Sequence, residues 1–217
     1  MKLHAIALIL GLLANLPAAA VAAQPTIYIQ PLGENLPARA AGDVRQAISA
    51  FYRVEVRLLE AIKLPAAAYY PRRRRFRAEK LLVALRQRLP ADGTLILGLT
   101  AADISTTKGA IADWGVLGLA TLDGVASVIS LYRCKRGARD QRHSYQRLAK
   151  VAVHEVGHNF GLAHCPSHGC LMEDAKGKVS TSDREYRFCA RCQHHLRQRA
   201  ALHQRVTPPW PKPAKPL

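Results

Sequence analysis

Residues 154–164 read HEVGHNFGLAH, and no other stretch constrains the fold of this chain so tightly. His154 and His158 stand four apart, so on a helix they share one face, one turn from each other. Two imidazoles at that spacing reach one Zn²⁺ at roughly 2.0–2.1 Å each. Glu155 sits beside the first histidine. It can reach a water on the ion without being a ligand, which suits a general base. Gly161 takes positive φ without a steric penalty, so the helix can stop there and the chain turn back. The turn brings His164 round as a third ligand. Three protein ligands leave a fourth position for water, as in a catalytic rather than a structural zinc site. An ion held in this way acidifies water and polarises a carbonyl.

A second cluster follows at once. Cys165 and Cys170 precede Cys189 and Cys192, the latter a CxxC, with Met172 between the pairs. Two close pairs suit a tetrahedral Cys₄ zinc. They suit two disulfides equally well if the chain meets oxidising conditions. Spacing alone does not choose between them. Cys134, the fifth cysteine, has no evident partner and reads as a buried free thiol at the end of a strand.

The rest of the chain reads as alternating strands and helices. Residues 26–30 (TIYIQ) alternate as a strand that Pro31, Leu32 and Gly33 end. Helical spacing runs over 37–52, and a second strand over 53–59. Residues 65–71 read as loop and 72–89 as a helix with Phe76, Leu81, Leu82, Leu85 and Leu89 on its apolar face. The run TLILGLT at 94–100 resembles a buried parallel strand. Residues 101–113 read as loop. Strands over 114–121 and 125–132 flank Asp123-Gly124, a hairpin signal. A helix spans 144–162. This order predicts an α/β (α+β) fold with a mixed sheet.

The chain begins with a Lys2 start, a nearly unbroken apolar run over 3–16, Pro17 and a small-residue stretch containing Ala20-Val21-Ala22. This reads as a secretory signal peptide over 1–23 rather than an anchor, since a spanning helix needs roughly 20 apolar residues. A secreted or periplasmic location is expected, with no transmembrane helix once the signal is removed. A single catalytic domain over 24–196 and a basic, Pro-rich, flexible tail over 197–217 complete the organisation. Trp210 in that tail could dock on the body or on a partner. The chain has 217 residues and a net charge of +17. The signal holds one lysine and no acid, which leaves +16 on the mature chain. Half the residues are apolar (49%), which excludes a disordered polybasic tail. Aromatics at 6% argue against a base-stacking surface. No specific nucleic-acid partner is expected. Arg72, Arg73, Arg74 and Arg75 in a row read as a solvated helix start, although cations suit the other end of a helix.

HExxHxxGxxH is the metzincin zinc motif. Its continuation here, HEVGHNFGLAHC-x₄-C-x-M followed by FCARC, resembles the archaemetzincins, as do the segments TIYIQPLG, LILGLTAADI and ASVISLYR. The resemblance implies a metzincin-like mixed twisted sheet with an active-site helix and a small Cys/His-rich C-terminal subdomain. It implies a catalytic zinc on His154, His158 and His164, Glu155 as general base, and Met172 as a packing turn beneath the site. Cys165, Cys170, Cys189 and Cys192 then hold a second, structural zinc, making two Zn²⁺ per chain. The strand around 114–120 would form the upper rim of the cleft and pair with the substrate backbone. The implied activity is zinc-dependent hydrolysis of peptide bonds, aminopeptidase-like in some members. Peptides or proteins are the expected substrates, acidic ones among them because a basic surface steers anions. The alternative is a basic binding module that uses zinc only to fold. It does not need Glu155 or an open coordination position, and both are present.

Overall fold

The computed structural model describes residues 25–199. The proposed signal and nearly all of the proposed tail, Trp210 included, lie outside the described residues. A five-stranded sheet forms the frame: Thr26–Leu32 (β1), Glu55–Leu58 (β2), Leu95–Thr100 (β5), Gly118–Ala120 (β8) and Ala126–Ser130 (β9), in the order β2-β1-β5-β9-β8. The first four strands are parallel, and β8 returns antiparallel to β9 at the edge. A second sheet joins Tyr69–Tyr70 (β3), Arg75–Arg77 (β4), Ile104–Lys108 (β6) and Ile111–Val116 (β7) in that order.

Both faces of the main sheet are covered, so its central strands are buried along their whole length rather than on alternate residues. Ile27, Ile29, Leu97, Leu99 and Ile129 face Ala38–Tyr52 (α1) and Gln141–Asn159 (α4). Tyr28, Leu32, Ile96 and Val128 face Ala78–Arg86 (α2). The short helices Leu131–Cys134 (α3) and Thr181–Arg184 (α5) and the longer Ala190–Arg199 (α6) complete the order. No helix among the described residues is long and apolar enough to cross a membrane.

The structure corrects five local expectations. β1 runs on through Pro31 to Leu32. The Ile29 and Pro31 carbonyls both face the β2 side, where they accept from Leu59 and Ile62. The proline's missing N–H therefore falls where β2 has already ended, and no ladder bond is lost. Residues 72–77 are not helical. After a short 3₁₀ turn over Pro71–Arg73 the chain passes Arg74 in the left-handed region (φ 50°), and β4 then pairs with β3 and β6. The segment 101–113 is not a loop: it holds β6 and the start of β7. The expected strand over 114–121 is shared between β7 and β8, which belong to different sheets. The hairpin around Asp123-Gly124 is present. Its second strand stops at Ser130, whose hydroxyl caps α3, so Cys134 lies buried at a helix end rather than a strand end.

Ion pairs explain why the arginines favour a sheet. Arg75 pairs with Asp103 (2.8 Å) and Asp113 (3.1 Å), and Arg77 with Glu79. Arg133, from α3, grips Asp103 at 2.7 and 3.1 Å. The guanidinium of Arg133 lies flat against Gly115, where an added Cβ would come within 1.7 Å of Nη2. The second sheet is thus fastened to the first through charges that are largely buried. The run of four arginines divides accordingly: Arg72, Arg73 and Arg74 are exposed, and Arg75 is not.

Candidate active site

Helix α4 carries the histidine motif in its last turns. Asp140 caps its first turn by accepting from the His143 N–H (2.6 Å). The last turn closes as a Schellman motif: Leu162 N–H donates to Gly157 O and Gly161 N–H to His158 O, both at 2.9 Å, with Gly161 at φ 80°. This turn delivers His164 opposite the other two rings. The ring centres of His154 and His158 are 4.6 Å apart, and that of His164 lies 5.3 and 4.8 Å from them.

Backbone carbonyls fix the two helical rings. His154 Nδ1 donates to Leu171 O and His158 Nδ1 to Leu162 O, each at 2.6 Å. With both Nδ1 atoms donating, the two Nε2 atoms carry only lone pairs. They nevertheless face each other at 3.0 Å. Such an approach is repulsive until a cation lies between the pairs, and three imidazole donors within 4.8 Å of one another match a zinc ion's preferred ligands. Burial and the His158 ring hold His154 down at about 3, and burial also lowers His158, so both remain neutral ligands at ordinary pH.

Glu155 points to the other side of the site. It is buried, and burial pushes its carboxyl up to about 8. Gly118 of β8 lies directly against it: a Cβ there would sit 2.6 Å from Glu155 Oε1. Beneath α4, Met172 is fully buried with Sδ beside Gly157, where an added Cβ would come within 2.6 Å. Cys165 N–H donates to Met172 O at 2.7 Å, so this turn is tied to the chain leaving the helix.

The four cysteines converge as well. Cys165 Sγ lies 3.6 Å from Cys189 Sγ, and Cys170 Sγ 3.8 Å from Cys192 Sγ. A disulfide would need about 2.05 Å, and no cysteine is in one. Sulfurs bonded to one zinc at about 2.3 Å stand roughly 3.8 Å apart, so the spacing is that of a tetrahedral edge. The contact between the Cys170 and Cys192 sulfurs holds Cys170 down at about 5 and pushes Cys192 upward. Backbone N–H groups of Ser167 and Cys189 and the Arg191 guanidinium also point at the sulfurs. Cys134 stands apart, its thiol pushed up to about 12 by burial.

A cleft of about 510 Å³ runs past His154, Glu155, His158 and His164. Residues 114–120 line one side, as expected for an upper rim, although the segment belongs to two sheets. Lys108 lies over the Trp114 ring at 5.3 Å, and the ring meets the opposite wall at Gly177. That wall is the segment after Met172. Asp183 holds it to α4, bonded to Arg147 at 2.7 and 2.6 Å and to His143 at 2.7 Å. The sequence gives no sign of a role for Asp183, Gly118 or Gly157. Each acts through a contact distant in sequence that no short motif records.

Residues 40–198 match the model of Peptidase family M54. Similar proteins include the archaemetzincin of Haloquadratum walsbyi, 31% identical over 78% of this chain and 98% of that protein. The archaemetzincin of Pyrococcus abyssi is 30% identical over 78% and 93%. Among solved structures, archaemetzincin from Methanopyrus kandleri superposes with a TM-score of 0.71 at 27% identity, covering 84% of this chain and 98% of that one. Archaemetzincin from Archaeoglobus fulgidus, complexed with malonate, gives 0.66 at 30% identity, covering 78% and 99%. The fold, the clustered histidines and cysteines and these matches agree: the chain belongs to Peptidase family M54, the archaemetzincins, and is a zinc metallopeptidase.

Proposed function

We propose that the chain hydrolyses peptide bonds with His154, His158 and His164 as ligands of one zinc and Glu155 as general base, and that Cys165, Cys170, Cys189 and Cys192 hold a second, structural zinc. The opposed Nε2 lone pairs of His154 and His158, 3.0 Å apart, carry this reading. Zinc, when bound, supplies Lewis-acid polarisation of the scissile carbonyl and acidification of the attacking water. Glu155 takes that water's proton and passes it to the leaving amine nitrogen. Burial favours its protonated form, which suits the second of these transfers, delivery of the proton to the leaving nitrogen. β8 ends its sheet, so one edge of Gly118–Ala120 is open to pair with the substrate backbone and align the bond over the histidines. Leu171 and Leu162 fix the imidazole orientations through Nδ1.

The substrate class follows the charge: the basic surface draws acidic peptides toward the cleft. Residues 1–23 act as a cleaved signal, placing the domain over 24–196 and its tail over 197–217 in a secreted or periplasmic setting. The action is aminopeptidase-like, so blocking a peptide's N-terminus with an acetyl group should suppress cleavage, and an equal rate on the blocked peptide would show internal cleavage instead. Glu155→Gln should abolish hydrolysis and retain zinc. Full activity in that variant would overturn the assignment.

A further inference from the structure

Val151, Ser182 and Glu185 line one stretch of the cleft, its arm, and Val151 lies on the side of Glu155 away from His158 along α4. Val151 stands one turn before Glu155 on the same face of α4. Ser182 and Glu185 come from the opposite wall, which Asp183 clamps to α4. The arm is therefore built from two rigid elements. Lys150 adds a second tie, donating to Ser182 O at 2.8 Å.

Glu185 is 4% exposed. Among the described residues its carboxylate has no hydrogen bond and no ion pair. The charges around it act from further off: Lys150 on α4 and Arg184 favour its ionised form, and Glu173 and Cys170 oppose it. The Lys150 ammonium is held at the Ser182 carbonyl, and Arg184 is held by Glu173. The cations that line the cleft, Lys108 and Lys176, belong to its Trp114 end, where Trp114 meets Lys108 and Gly177.

We infer that Glu185 makes this arm a subsite for a lysine or arginine side chain, carried by the substrate residue that follows the cleaved bond. The position follows from Glu155, which serves the leaving nitrogen and stands between the histidines and the arm; the inference thus rests on the general-base role proposed above. A buried carboxyl with no counter-charge in contact is unfavourable, and burial pushes Glu185 up to about 8 against the more distant Lys150. A cationic side chain entering the arm supplies a charge in contact and excludes water with its methylene stem along Val151. A neutral side chain of equal length supplies only the second of these. Long-range attraction of acidic peptides is compatible with this selectivity, since the field acts on the whole substrate and the arm on one residue.

The test uses quenched fluorescent peptides with a free α-amino group, the fluorophore carried on the first residue's side chain, differing only at the residue after the cleaved bond: lysine, arginine, norleucine or glutamate. Norleucine keeps the lysine stem without the charge. The zinc-loaded wild type should show a kcat/KM for lysine and arginine at least about tenfold above norleucine, with glutamate lowest. Glu185→Gln should bring the lysine-to-norleucine ratio to about one. Equal wild-type rates for lysine and norleucine would overturn the inference, and this comparison stands even if the variant does not fold. Binding of the same peptides to Glu155→Gln gives a second readout by fluorescence anisotropy. Tighter binding of lysine without any wild-type cleavage would sink the hydrolytic reading and keep the subsite. Cleavage without a lysine preference would do the reverse, and neither cleavage nor preferential binding would remove both.

Discussion

At the scale of single residues, the candidate site divides into groups that a motif announces and groups that only folding brings together. His154, Glu155, His158, Gly161 and His164 are legible because one helix and its terminating turn fix their geometry from spacing alone. Gly118 is not. It lies 37 positions from Glu155 in the sequence, and nothing near it signals that a carboxylate will rest on its Cα. The contact yields a direct prediction. Gly118→Ala puts a Cβ 2.6 Å from Glu155 Oε1, so the carboxylate must move by about 1 Å to reach ordinary contact distance. A shift of that size in a catalytic group lowers turnover by roughly 100-fold. Steady-state assays on cleaved peptides should show the loss in kcat while zinc content per chain is unchanged. An alanine variant with wild-type kcat would mean that Glu155 is not held by β8.

At the scale of elements, the parallel strands and α4 follow from pattern, and the second sheet does not. β4 is three residues long, Phe76 between two arginines, too short for an alternation signal, and its neighbours Leu81, Leu82 and Leu85 extend a helical period backward through it. The deciding interactions are Asp103 and Asp113, which bind Arg75 and Arg77 from β6 and β7 flanks that themselves read as loop. The wall after Met172 is held in the same manner. Burial alone would raise the Asp183 carboxyl, but the Arg147 guanidinium and the His143 ring outweigh it and hold Asp183 at about 2. In the unfolded chain the value is about 3.9. Between these the unfolded state binds more protons, so stability rises with pH. The contribution is complete above about pH 4 and is lost as pH falls through 2. Asp183→Asn leaves Arg147 buried without its counter-ion. The loss should be about 2–3 kcal/mol near pH 7, below the range of about 3–5 kcal/mol for a wholly buried pair because Asp183 is 33% exposed. Urea midpoints of wild type and variant should differ most above pH 5 and converge near pH 2.

At the scale of the whole molecule, the two metal clusters and the charge make different claims. Charge foretold little of the fold, since the arginine run is split between solvent and internal pairs. The cysteines, which spacing left between zinc and disulfides, stand at distances that fit the metal. Metal analysis of the mature chain should find two zincs with all five thiols reactive after unfolding and chelation. One zinc and a single reactive thiol would mean two disulfides instead. Chelation should cost stability as well as activity, because the Cys₄ site joins α6 to the strand of chain leaving α4. That junction also orders events during synthesis. Ribosomes deliver a chain from its N-terminus, so the histidines and Glu155 emerge before Cys189 and Cys192. A nascent chain that ends at residue 188 has its hydrolytic groups but only half of the thiol clamp under the 170–173 turn, whose Leu171 carbonyl orients His154. With both ions bound as proposed, the turn that orients His154 is fastened only once Cys189 and Cys192 have joined the chain.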